Sequence, residues 1–229
     1  MRINVYGLCH AVGILVTHYI FTTCFLGLFA MTHGEWARVY ALGVVLCIMG
    51  GRLMCGLQRD VPWGRIHRIW DGGLSSFGSY HTGLFYLSGV ALLYGEDPVR
   101  FVEAVTLSVS LYPVFIRLGN WWNGELRGVF GPDGHRHPSQ LYELLLEGVL
   151  VSGVLWSLSA TVGDGIIFLT MPAVYGGARS VCETFKEEDP AMPCWYRIHF
   201  HRYLRWVRFQ AFCLVIASWA MYSVIRRCT

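Results

Sequence analysis

The chain has 229 residues, of which 54% are hydrophobic and only 14% charged, with a formal net charge of +3 and a mean hydropathy of +0.43. Soluble domains carry about 25% charged residues, so this composition excludes an ordinary cytosolic enzyme, and its blocks of apolar residues exclude intrinsic disorder. It reads as an all-α, polytopic membrane protein. A helix needs about 20 residues to cross the hydrocarbon core, which leaves no room for a sizeable soluble domain.

Seven apolar runs follow in chain order: Val5–Met31, Val39–Met54, Ser79–Tyr94, Val99–Ile116, Leu141–Leu158, Gly165–Tyr175 and Phe209–Ile225. The first is too long for a signal-peptide core and lacks an A-x-A cleavage site, so a retained helix is expected. The third and sixth are short and must borrow flanking residues. The connections Thr32–Arg38, Gly95–Pro98 and Ser159–Asp164 are short and nearly bare, whereas Cys55–Gly78, Arg117–Gln140 and Gly176–Arg208 are long and charged. Because helices alternate direction, the three long connections share one face. That face also carries every Lys and Arg except Arg38, Arg100, Arg226 and Arg227. The positive-inside rule would put it in the cytoplasm, but arginines that bind anionic head groups depart from that rule for functional reasons.

Five of the eight cysteines (Cys9, Cys24, Cys47, Cys55 and Cys213) lie in or beside apolar runs and read as small core residues. Cys182 and Cys194 share a polar segment and are the pair that would bridge on an oxidising face. His135, His137, His199 and His201 follow no ligand spacing, so no metal or other cofactor is expected. His10 and His18 lie inside the first helix, and His10 is one turn from Tyr6.

Chemistry concentrates between Ile116 and Glu147. Arg117, Asn120, Asn123 and Glu125 directly follow an apolar helix, beside Gly119 and Gly124. Polar groups at a membrane boundary are costly when unpaired, and four within nine positions outnumber what a snorkelling helix end provides. Further on, Pro138 and Ser139 suit a helix start, and Glu143 and Glu147 lie one turn apart on one face. Arg117, Arg127 and Arg136 are their prospective partners, in scaffolding or catalysis alike.

These blocks resemble the prolipoprotein diacylglyceryl transferase family. Its G-R-x-G-N-F-x-N-G-E pattern is matched by Arg117, Gly119, Asn120, Asn123, Gly124 and Glu125, with Ile116 in place of the first glycine, and R-H-P-S-Q-L-Y-E is matched by Arg136 through Glu143. Tyr6-Gly7-Leu8, Gly51-Arg52-Leu53, Trp70-Asp71-Gly72-Gly73-Leu74-Ser75 and the series Tyr175, Gly176, Arg179, Glu183, Asp189-Pro190 match in the same order. The motifs span roughly residues 5 to 190 of a single membrane domain, with 191–229 unmatched.

The resemblance implies transfer of the diacylglyceryl group of phosphatidylglycerol to the lipobox cysteine of a prolipoprotein, with release of glycerol phosphate, in the bacterial inner membrane. It implies Arg117 and Arg179 as phosphate donors, which suits the guanidinium fork. Tyr6, Arg52, Asn120, Asn123, Glu125 and Tyr175 would complete the site, on a periplasmic face. The family's candidate base, a histidine after W-D-G-G-M-S, falls on Phe77 here, and His81 lies one turn further on.

Two further departures bear on the acceptor. Only Leu126–Arg136 stands where the family inserts a soluble head, which leaves open a relative with a different acceptor, or a lipid-binding protein without turnover. The segment Cys194–Arg208 interleaves aromatic and arginine side chains and reads as an interfacial helix on anionic lipid rather than a nucleic-acid surface.

Overall fold

The computed structural model describes residues 5–57, 61–68, 74–124, 127–187 and four positions of the last apolar run, Ile216, Trp219, Tyr222 and Ser223. The helices are α1 (Val5–Cys24), α2 (His33–Leu57), α3 (Ser76–Leu93), α4 (Pro98–Val109) and α5 (Tyr112–Asn123). Then comes a continuous helix α6, starting as Ser139–Glu143, widening into a π-helical stretch Leu144–Leu150 and ending as Val151–Ser157. α7 is Ile166–Cys182. Among the described residues three helical stretches, Val5–Cys24, His33–Leu57 and Pro98–Asn123, are long and apolar enough to cross a membrane.

α1 shows why these elements assemble. One stripe, spaced three or four residues apart, meets the neighbouring helices. Phe21 stacks on Trp36 of α2 at 3.8 Å and meets Phe101 of α4 edge-on at 5.9 Å. A Cβ on Gly13 would sit 2.8 Å from the Tyr112 ring, so only glycine lets α5 approach there. The other side of α1 leaves Leu8, Leu15 and Tyr19 exposed. An apolar outer surface is what lipid tails, themselves as apolar as leucine, accept.

α2 and α3 are joined through small residues. A Cβ on Gly51 would lie 2.5 Å from Ser79 Oγ, and one on Gly78 would overlap the Gly50 carbonyl. Ser79 donates to the Cys47 carbonyl at 2.9 Å and Tyr86 to the Val39 carbonyl at 2.9 Å. Close backbone approach and interhelical hydrogen bonds are the main adhesives where no hydrophobic effect acts between helices.

The apolar run Val99–Ile116 proves to be two helices in line. Pro113 has no amide to donate into the preceding turn, and the Val114 amide donates to the Leu111 carbonyl at 3.1 Å, which leaves the Ser110 carbonyl at the break to accept from the Ser152 hydroxyl of α6 at 2.7 Å. The run Gly165–Tyr175 extends to Cys182, because Arg179 and its neighbours find partners in the bundle and need not leave it. The run Phe209–Ile225 lies outside the described residues apart from the four positions named, as do Cys194 and the segment Cys194–Arg208.

The two ends of the bundle differ. At one end Phe21, Phe29, Trp36 and Phe101 form an aromatic core. Here Glu103 of α4 is fully buried, and its oxygens accept from the Gly163 amide at 2.6 Å and the Phe168 amide at 2.9 Å. It thus serves the amides at the start of α7, which a helix leaves without intrahelical partners. Glu103→Ala should lower stability by about 2–3 kcal/mol, because two buried hydrogen bonds are lost and the Phe168 amide in the first turn of α7 loses its cap. Thermal unfolding in detergent, followed by helix circular dichroism, checks this; an unchanged midpoint would refute the capping role.

Candidate functional site

The other end gathers the polar residues. α5 stops at Asn123 because Gly124 adopts a left-handed φ of +68°, and its amide closes on the Trp121 carbonyl at 3.1 Å. This sets Arg117 and Asn120 on the last turns of α5. A Cβ on Gly119 would sit 3.1 Å from the Tyr6 ring, so the pattern's glycine lets α1 bring Tyr6 against this end of α5. Tyr6 also meets His10 edge-on at 4.4 Å, and His10 Nδ1 lies 2.6 Å from the Tyr112 hydroxyl.

Residues 127–137 fold back as a short hairpin. The Gly131 amide donates to His135 at 2.8 Å and the His137 amide to Val129 at 2.9 Å. Its first limb also pairs with the chain beyond α7, where the Val129 amide donates to Phe185 at 3.0 Å and the Glu187 amide to Arg127 at 2.8 Å. The hairpin therefore draws residues 185–187 to the start of α6 and delivers Lys186 to Glu143.

What results is a buried cage of six charges. Arg117 donates to Glu147 at 2.8 Å and lies 3.4 Å from Glu143. Arg179 donates to Glu143 at 2.9 Å and to Glu147 at 3.2 Å, and it pairs with Glu183 one turn along. Lys186 contacts Glu143 at 2.5 Å and Glu183 at 2.8 Å. Glu143 and Glu147 are fully buried, whereas the side chains of Arg117 and Arg179 keep 13% and 23% of their surface exposed. Three cations balance three carboxylates, so the cage is neutral. Its remaining access is on the arginine side. Tyr175, one turn before Arg179, lies within Coulombic reach of Glu147 and both arginines.

The π-helical stretch of α6 begins directly after Glu143 and contains Glu147. Its wider turn falls where Gly148 packs on Val114 of α5, with a Cβ there only 2.6 Å from Val114 Cγ2. Such wide turns recur at functional sites.

The residues expected from the sequence divide into three groups. Arg117, Arg179 and Tyr175 come together at the cage; Asn120 lies one turn beyond Arg117 on the same helix, Tyr6 of α1 packs against Gly119, and Asn123 ends α5, exposed. Arg52 and His81 lie elsewhere. The buried Arg52 guanidinium donates to the carbonyls of Ile66 at 3.1 Å and Arg65 at 3.3 Å, and to that of Arg68, holding the 61–68 segment. His81 is on α3, which packs mainly on α2 and α4. Its Nδ1 donates to the Phe77 carbonyl at 2.9 Å, which leaves the ring's lone pair on Nε2. Glu125 and residues 70–73 lie outside the described residues.

Lys186 was not singled out by the sequence, although the spacing Arg179, Glu183, Lys186 is that of one helical face. Arg136, a prospective partner of Glu143, pairs with Glu187 instead and stacks over Phe130 at 4.2 Å. Its hydrogen bond holds the exposed Glu187 carboxyl below the ordinary value. This pair therefore contributes above the ordinary carboxylate range and fades as pH falls through it. Among the described residues no group of three His, Cys, Asp or Glu side chains is arranged to hold a metal ion.

The family model for prolipoprotein diacylglyceryl transferase matches residues 1–224, past the point near 190 where the motifs end. Similar proteins include the phosphatidylglycerol–prolipoprotein diacylglyceryl transferases of Francisella tularensis subsp. holarctica (strain LVS) and subsp. novicida (strain U112). Each is 28% identical over 221 residues, covering 83% of this chain and 78% of the relative.

Removing one partner of a buried ion pair costs about 3–5 kcal/mol. Glu147→Leu should therefore destabilise the protein by that order, and adding Arg117→Leu should recover part of the loss. Thermal midpoints of the two single variants and the double variant test it; losses that simply add would show that the cage is not coupled.

Proposed function

The chain belongs to the prolipoprotein diacylglyceryl transferase family, and on that premise we propose that it moves the diacylglyceryl group of phosphatidylglycerol onto a cysteine thiol of a prolipoprotein, releasing glycerol phosphate. It does so as a multi-pass protein of about seven helices in the bacterial inner membrane, with the cage on the outer face. The observation that carries this reading is the convergence of Arg117 and Arg179, from separate helices, on one pair of buried carboxylates.

Departure of glycerol phosphate from the glyceryl carbon needs donors aimed where charge develops on the leaving oxygen. Two planar guanidinium groups suit that task, since each presents a fork matching phosphate geometry. Glu143 and Glu147 fix both forks before substrate arrives, so little reorganisation remains for the reaction itself. Asn120, Asn123 and Glu125 would line the glycerol phosphate, with Tyr6 and Tyr175 closing the site from α1 and α7. Arg52 enters as the residue that keeps the 61–68 segment in place, and His81 as a basic nitrogen on the neighbouring helix α3. The lipid tails would lie among the apolar flanks of the helices.

A second reading keeps the lipid chemistry and changes the acceptor. It is favoured by the short hairpin over residues 127–137, which offers a protein acceptor far less surface than a folded head.

Purified protein with phosphatidylglycerol and a lipobox cysteine peptide should release glycerol phosphate, measured by mass spectrometry. Release that requires a small thiol in place of the peptide would favour the second reading. Arg117→Lys keeps the cage charge but loses the fork, and should lower the rate about 100-fold with little change in thermal midpoint. An undiminished rate would sink the phosphate role.

A further inference from the structure

We propose that Glu143 carries the proton of this reaction, an inference that rests on the transferase reading above. Its two oxygens are unequal. Oε1 is engaged by Arg179 at 2.9 Å and Lys186 at 2.5 Å. Oε2 is buried and receives no hydrogen bond among the described residues; the charge facing it is Arg117, with Nη1 at 3.4 Å. A buried carboxylate oxygen that receives no hydrogen bond, on a residue whose other oxygen is doubly engaged, is an acceptor held in reserve. By contrast both oxygens of Glu147 are engaged, Oε2 by Arg117 and Oε1 by Arg179.

The charge arithmetic points the same way. The groups facing Glu143 are Arg117 from α5, Glu147 from its own helix, Arg179 from α7, and Glu183 and Lys186 just beyond it, with Tyr175 nearby. This set is neutral when empty. A phosphodiester adds one negative charge and competes for the same guanidinium donors.

The acceptor thiol then gives its proton to Glu143 Oε2. The thiolate attacks the glyceryl carbon that bears the phosphate, a C–S bond forms as the C–O bond breaks, and the electron pair leaves on the phosphate oxygen. The phosphate gains one negative charge as Glu143 loses one. The negative charge before Arg117, Arg179 and Lys186 is therefore the same at the start and end of the step. A phosphate monoester dianion takes up a proton to become the monoanion at a pH of about 6. The departing dianion can receive the proton from Glu143 and leave as a monoanion, restoring the carboxylate.

The test uses two peptides that differ only in cysteine or selenocysteine at the acceptor position, since a selenol is already ionised at neutral pH and needs no base. Three proteins are compared: the unaltered chain, Glu143→Gln, and Glu143→Gln combined with Lys186→Met. The combined variant keeps the cage neutral and supplies a folded protein if the single change does not.

Both variants should lose about 100-fold or more on the cysteine peptide, the usual contribution of a positioned base. Their loss on the selenocysteine peptide should be at least about tenfold smaller, because weaker positioning of the forks slows both peptides alike whereas only the cysteine needs the base. Equal losses on the two peptides, or a full rate on cysteine, would overturn the role of Glu143 while leaving the transferase reading intact. Absence of glycerol phosphate release by the unaltered protein with either peptide would overturn the transferase reading itself, and Glu143 with it.

Discussion

An ionised carboxylate taken out of water must be met by positive charge or by backbone donors, and the polar end of this bundle is organised around that requirement. Glu143 and Glu147 are fully buried on consecutive turns of α6. Satisfying them calls for Arg117 at the end of α5, Arg179 at the end of α7, and Lys186 on the segment beyond. Each partner constrains where a different part of the chain runs. The left-handed turn at Gly124, the short hairpin over 127–137 and the glycine contacts of α1 on α5 and of α6 on α5 all serve the same convergence.

The cage also explains why arginine appears at two of its corners and lysine at a third. Arg117 spans two carboxylates and Arg179 three, which a planar group with several donors does and a point charge does less well. Lys186, more deeply buried, sits between Glu143 and Glu183 and completes the balance. The arginines hold the exposed edge of the cage and the carboxylates its interior. On the proposed reading an anion reaching that edge would meet guanidinium groups first, with the carboxylates behind them keeping the forks aimed.

Glu103 shows the other way of burying a carboxylate. At the opposite end it meets two backbone amides at the start of α7 rather than side-chain cations. With nothing exposed and its donors fixed by the backbone, it has no chemistry to offer a ligand. It joins α4 to α7 beneath the aromatic cluster of Phe21, Trp36 and Phe101. The bundle is therefore anchored at one end by aromatic packing and a capped helix, and held at the other by paired charges whose arginines keep some exposure.

The helices were legible in the sequence because lipid imposes a length and a polarity on every span, and both are local properties. Arg117, Glu143 and Glu147 stood out for the same reason, as charges in or beside apolar runs, whereas Arg179 stood out only through the family resemblance. The pairing was not legible. Arg136 looked as suitable a partner for Glu143 as Arg117, and only the hairpin turns it towards Glu187 and admits Lys186 in its place. The break at Ser110, the wide turn of α6 and the backbone contacts of Arg52 likewise depend on what another helix offers. Composition and spacing determine which residues cannot remain in lipid unpaired. Which residue each one meets is a matter of distance between remote segments, and that is decided only when the helices pack.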